Sequence, residues 1–165
     1  MGYGLVIPTT SRKKRPGEEA GVDYEYVSTE TFQELIRQRE FCEWDYILGN
    51  YYGDRLARVE EAVFSDEIWF LDALAKIACR MIPRYAARIH TVLLLPGDAE
   101  EVERRLAERG YTGDDLVERR MHGRDEVVHQ GLLHQSITGA ELRDPVEIVR
   151  AVVAGAQSRW KRESI

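Results

Sequence analysis

Apolar and polar positions alternate along the chain in a few well-marked patterns. Residues 4–7 form a brief apolar run that breaks into the polar segment Thr9-Thr10-Ser11-Arg12, as a buried strand does when it delivers a loop. Ser28 then precedes Thr29-Glu30-Thr31 and apolar residues at Phe32, Leu35 and Ile36. An N-cap, an acidic first turn and one apolar face predict an amphipathic helix over residues 29–39. Ile68-Trp69-Phe70-Leu71 and Val92-Leu93-Leu94-Leu95 are continuous apolar segments of strand length, the pattern of parallel strands covered on both faces. Pro96-Gly97 ends the second. Asp98 and Glu101 form a capping-box pair opening a helix with Val102 and Leu106 inward, and Gly110 stops it. Another helix is expected after Asp114, with Leu116, Val117 and Met121 inward. A last one covers residues 145–160, with Asp144 as N-cap, Pro145 in the first turn and Glu147 completing the cap. Strands alternate with helices and no repeat interrupts them, so an α/β layer fold with a mainly parallel sheet is predicted.

Bulk properties narrow the function classes. At 165 residues and 44% hydrophobic content the chain suits one domain, residues 1–165, with one core. A net charge of −6 argues against general nucleic-acid binding, so any basic site must be local. Cys42 and Cys79 lack the spacing of a zinc site or a disulfide framework, which fits a reducing, cytoplasmic setting. No charged leader precedes a long apolar run, Val6 breaks the myristoylation pattern, and no stretch reaches membrane-spanning length. His122, Asp125 and His129 share a helical face that could hold a metal, but polar faces of this kind are usually solvated; no metal and no cofactor are expected.

The densest chemical signal is Thr10-Ser11-Arg12-Lys13-Lys14-Arg15-Pro16-Gly17-Glu18, followed by Gly21-Val22-Asp23-Tyr24. Arg12 and Arg15 leave a strand on a turn, where guanidinium forks can make bidentate contacts to phosphate oxygens. A basic run alone is more often a solvated loop. This one, however, resembles the T-T-R-x-x-R-P-G-E and G-x-D-Y signature of guanylate kinases, and the resemblance continues in register. Phe41-Cys42-Glu43-Trp44 is similar to that family's F-L-E-W, and Gly49-Asn50-Tyr51-Tyr52-Gly53 matches its G-N-Y-Y-G. Leu71-Asp72 resembles the start of its L-D-I-D strand, and the stretch from Arg105 to Gly110 with Arg120-Met121 resembles its lid.

The resemblance implies a P-loop-kinase-like parallel sheet with flanking helices, a monophosphate-binding region over residues 8–66 and a lid over residues 105–125. It implies that Arg12, Arg15, Tyr24 and Tyr52 hold a monophosphate, that Glu43 accepts hydrogen bonds from a guanine edge, and that Arg109 and Arg120 close over transferring phosphates. Asp54 stands at the second base-contacting position, where the family has Ser or Thr.

Three departures bear on activity. None of the 13 glycines is followed by lysine, so the G-K-S or G-K-T phosphate loop is missing. In the family that loop lies upstream of T-T-R with a strand and a helix, so the sheet is expected to lack its first strand, P-loop and first helix. Pro8 replaces a serine, as in the non-catalytic guanylate-kinase-like domains of scaffold proteins, and Leu74 replaces the second Asp of L-D-I-D. The leading expectation is a non-catalytic binder of a nucleoside monophosphate or phosphorylated ligand, a pseudokinase. The alternatives are a phosphotransferase completed by another chain's P-loop, a family member recruited to other nucleotide chemistry, or an assembly module whose open sheet pairs with itself or with a partner chain.

Overall fold

The computed structural model describes residues 3–85, 88–95, 99–108, 110, 112–113, 132–138 and 144–163. Its contacts divide the chain into two compact units, Met1–Ala73 and Leu74–Ile165.

The first unit runs β1 (Tyr3–Leu5), β2 (Thr9–Thr10), β3 (Glu25–Tyr26), α1 (Thr29–Arg37), β4 (Phe41–Ile47), β5 (Asn50–Arg55), α2 (Leu56–Phe64) and β6 (Ile68–Phe70). Here β1 and β6 pair in parallel, Tyr3 opposite Ile68. Gly4 permits that approach, because a Cβ there would overlap the Trp69 ring. The other four strands form a mixed sheet in the order β3-β2-β5-β4. Its β2–β3 pair is parallel, while β5 is antiparallel to both β2 and β4. The parallel pairing expected for the fold is met by β1–β6, and the candidate residues stand on the separate, mixed sheet.

Helix α1 begins as predicted: the Ser28 hydroxyl accepts from the Thr31 N–H at 3.1 Å. The helix ends at Arg37, two residues before the predicted limit, and Arg39 then takes a left-handed φ of 57°. Phe32 is fully buried and stacks between Phe41 and Tyr51, with ring centroids 4.3 and 5.2 Å away. That stack fastens α1 to the β4–β5 hairpin. Val59 of α2 supplies another fully buried side chain of this unit.

The second unit contains α3 (Ala75–Tyr85), β7 (Val92–Leu95), α4 (Ala99–Glu108), β8 (Gln135–Thr138) and α5 (Pro145–Glu163). β7 falls on the predicted apolar run and pairs in parallel with β8, Val92 opposite Gln135. On α4 Arg105 pairs with Glu101 one turn earlier at 2.6 Å. The Asp144 carboxylate caps α5 by accepting from the Val146 N–H at 2.8 Å, whereas Glu147 pairs with Arg150 instead of completing the cap. Arg159 of α5 donates to the Ile89 carbonyl, holding the helix near the start of β7. The helix predicted after Asp114, and with it His122, Asp125 and His129, lies outside the described residues.

Candidate functional site

The turn after β2 is built by its own side chains. Thr10 is fully buried; its hydroxyl donates to the Tyr51 carbonyl at 2.8 Å and accepts from the Arg12 N–H at 3.1 Å. Thr9, equally buried, donates to Glu25 at 2.9 Å and so ties β2 to β3. The two threonines thus work as pins that launch Arg12 from the sheet.

Arg12 meets Glu18 in a two-point fork: Nη2 donates to Oε1 at 2.7 Å and Nη1 to Oε2 at 3.0 Å. The same Oε2 accepts from the Arg15 N–H at 2.7 Å and the Tyr26 hydroxyl at 2.8 Å. The pair is 11% and 18% exposed, so it is shielded in a way that solvent-facing pairs are not. These donors hold the Glu18 carboxyl down to about 2, the Arg12 hydrogen bond being the largest influence. In return Glu18 holds Arg12 above its ordinary value, against the opposing effect of burial.

Phenols surround the guanidinium. Its carbon lies 5.2 Å from the Tyr24 ring centroid and 5.9 Å from that of Tyr26, within cation–π range. Tyr24 and Tyr52 meet edge to face at 6.2 Å. Burial raises the Tyr24 phenol, with the Asp72 charge adding to it, and burial with the bond to Glu18 pushes Tyr26 up to about 12. Both phenols therefore remain neutral hydrogen-bond donors near pH 7. Arg15 sits on the exposed side of the turn, its backbone held by Glu18.

The base-side candidates lie on the hairpin. Glu43 of β4 is the direct cross-strand partner of Asp54 on β5, beyond a register shift between Phe41 and Glu43. Asp54 is 5% exposed, and its Oδ1 is buried without a hydrogen-bond partner among the described residues. Burial first, and the charge of Asp72 second, push Asp54 up to about 7.

Of the residues singled out by sequence, the structure gathers Arg12, Tyr24 and Tyr52, and pairs Glu43 with Asp54. Arg109 and Arg120 lie outside the described residues. Glu18 and Tyr26 were not singled out. Glu18 stands six residues from Arg12, a separation that brings side chains together only once the turn has formed. Among the described residues no group of three His, Cys, Asp or Glu side chains could hold a metal ion, and no helix is long and apolar enough to cross a membrane.

The guanylate kinase family model matches residues 2–154. The chain belongs to the guanylate kinase family. It is 31% identical to a guanylate kinase of Symbiobacterium thermophilum over 98% of this chain and 76% of that protein. It is 32% identical to one from Paramagnetospirillum magneticum over 97% of this chain and 74% of that protein. Its fold is similar to the crystal structure of guanylate kinase from Anaplasma phagocytophilum, with a TM-score of 0.75 at 21% identity, over 94% of this chain and 76% of that one. Within this guanylate-kinase-like frame the departures have distinct settings. The Pro8 carbonyl accepts from the Glu25 N–H at 2.8 Å, continuing the β2–β3 pairing. Leu74 supplies the carbonyl that receives the Ile77 and Ala78 N–H groups at the start of α3. Asp54 is the buried one.

Proposed function

We propose that this guanylate-kinase-like chain binds a nucleoside monophosphate, or another phosphorylated group, and does not itself transfer phosphate from ATP. The observation that carries the reading is the gathering of Arg12 with Tyr24 and Tyr52 on a turn fixed by Glu18. A planar cation flanked by phenols suits the oxygens of a phosphate, since guanidinium N–H and phenol O–H groups both donate. Glu18 shapes Arg12 before a ligand arrives, which reduces the ordering cost of binding. Arg15 at the turn's outer side supplies a second cation, and Glu43 with Asp54 faces the base. Arg109 and Arg120 would serve as lid cations.

Phosphoryl transfer needs a loop that cradles the triphosphate and a lysine that neutralises it. The sequence contains no glycine followed by lysine. A phosphotransferase completed by another chain is the second reading. It draws on the two parallel pairs, β1–β6 and β7–β8, each of which stops at two strands among the described residues and so has edges able to accept a further strand.

Calorimetric titration with GMP, AMP and a phosphopeptide tests binding. We expect at least one of these ligands to bind the wild type and Arg12→Ala to weaken it at least tenfold. No binding of any phosphorylated ligand by the wild type overturns the proposal. Phosphoryl transfer from ATP by the purified chain alone overturns its non-catalytic part.

A further inference from the structure

The second unit has a polar join of its own where β7 and β8 begin. Strand register starts at Val92 opposite Gln135, and the Gln135 N–H donates to the Thr91 carbonyl at 3.1 Å. One residue before each strand, side chains continue the pairing. The Thr91 N–H donates to His134 Nδ1 at 3.0 Å, and the His134 N–H donates to Thr91 Oγ1 at 3.1 Å. Thr91 Oγ1 and His134 Nδ1 also stand 2.7 Å apart. A backbone N–H can only donate, so Nδ1 accepts and carries no hydrogen. The hydroxyl donates to it as well, and one ring lone pair answers two donors. A proton on Nδ1 takes that lone pair. The hydroxyl can then turn and accept from the new N–H, but the Thr91 N–H cannot reverse and loses its acceptor.

The surroundings oppose a positive ring. His90 stacks on His134 with centroids 5.5 Å apart and planes at 16°, and its Nε2 donates to Gln135 Oε1 at 3.1 Å. His90 Nδ1 is left as an acceptor, buried without a hydrogen-bond partner among the described residues. From α5, Gly155 closes on the Gln135 amide, and a Cβ there would stand 3.2 Å from His90 Nε2. Arg159, one turn further along α5, brings a cation to the Ile89 carbonyl beside His90. The acids of α5, Glu147 and Glu163, each lie eight residues from Gly155, about 12 Å along the helix axis. β7 and β8 carry no ionisable residue. The elements that meet at the join therefore place His90 and Arg159 beside it, and positive charge on either repels an imidazolium.

We propose that Thr91 and His134 form an acid-sensitive clasp, closed while the imidazole is neutral and opened when it takes up a proton, which loosens the β7–β8 pair and the seat of α5 on it. Once opened, the imidazole takes up its proton near the ordinary value of about 6.5. The open form therefore binds more protons than the closed form as pH falls through that value, so the clasp holds at pH 7.5 and is lost toward pH 5. The phosphate turn of the first unit behaves differently, because Glu18 stays ionised down to about 2. Between pH 7.5 and pH 5 the second unit loosens while the Arg12–Glu18 fork stays formed.

The test uses the full chain labelled with nitrogen-15. Long-range proton–nitrogen correlation at pH 7.5 is expected to show His134 Nδ1 without a hydrogen. Hydrogen exchange then follows the Thr91 amide from pH 7.5 to pH 5, each rate being compared with that of an unstructured chain at the same pH. Protection of this amide in wild type is expected to fall roughly 30-fold relative to His134→Asn, whose side-chain carbonyl supplies an acceptor that does not titrate. Protection that changes in parallel in the two proteins overturns the proposal, and so does a hydrogen on Nδ1 at pH 7.5. The nitrogen measurement needs no variant, so it decides the matter even where His134→Asn does not fold.

Discussion

Two carboxyl groups of the site titrate in opposite directions, and each leaves a different mark on stability. Folded Asp54 binds its proton up to about pH 7, against an ordinary value of 3.8, so between those limits the folded state holds more protons than the unfolded state. Stability therefore falls as pH rises through that window. The shift corresponds to roughly 4 kcal/mol between pH 4 and pH 8, and urea unfolding of wild type should show a loss of that order that Asp54→Asn does not. Glu18 behaves the other way. Its folded value of about 2 lies below 4.5, so its stabilising effect is complete above pH 4.5 and disappears as pH falls toward 2. Glu18→Gln should be less stable than wild type at pH 7, with the two unfolding midpoints converging as pH drops below 4. It should also weaken phosphate-ligand binding severalfold, because Arg12 loses the fork that orients it.

At the scale of elements, the β4–β5 hairpin sets the register that brings Glu43 opposite Asp54. Its two-residue turn, Leu48-Gly49, has positive φ at both positions, 49° and 77°, the geometry whose twist matches the flanking strands. Gly49→Ala places a side chain in that left-handed region and should cost about 1 kcal/mol, read as a lower thermal midpoint. Gly53 is constrained by contact instead: a Cβ there would stand 2.9 Å from the Phe41 ring and from the Trp44 Cβ. Gly53→Ala should separate β5 from β4 and reduce ligand affinity as well as stability, whereas Gly49→Ala should change stability more than affinity. This hairpin was not legible as strands in the sequence. Along Phe41–Ile47 the aromatic Trp44 and Tyr46 are exposed while the acidic Glu43 and Asp45 share the face of buried Ile47, the register shift having turned Phe41 to the other face beside Gly53 and Arg55. That reversal of the usual apolar-in, polar-out alternation occurs where a sheet face serves a site instead of a core. Helix α3 was missed for a different reason. Pro83 stands inside it, and proline ordinarily marks a helix boundary.

For the molecule as a whole, binding and catalysis make separable predictions. A ligand that binds only the folded chain stabilises it by about 2.7 kcal/mol when present at 100 times its dissociation constant. Scanning calorimetry with GMP should therefore show a concentration-dependent rise in the midpoint, and Arg12→Ala should lose most of it. A coupled assay with ATP and GMP should show no phosphoryl transfer above background for the chain alone. Size-exclusion chromatography with light scattering addresses the strand edges beside β1–β6 and β7–β8: self-pairing predicts a concentration-dependent dimer, and a strict monomer at all concentrations excludes it.

The sequence by itself determined the local order. Ser28 capped α1, the run of leucines became β7, Asp144 opened α5, and the T-T-R and G-N-Y-Y-G motifs marked the site and the family, because caps, apolar runs and motif spacing are properties of neighbouring residues. Tertiary structure alone decided what those motifs do to one another. Arg12 acquires Glu18 and Tyr26 only when the turn closes, and Asp54 acquires its high proton affinity only when β5 is buried between β2 and β4 with Asp72 nearby. A charge's behaviour depends on burial and on partners distant in sequence, and folding creates both.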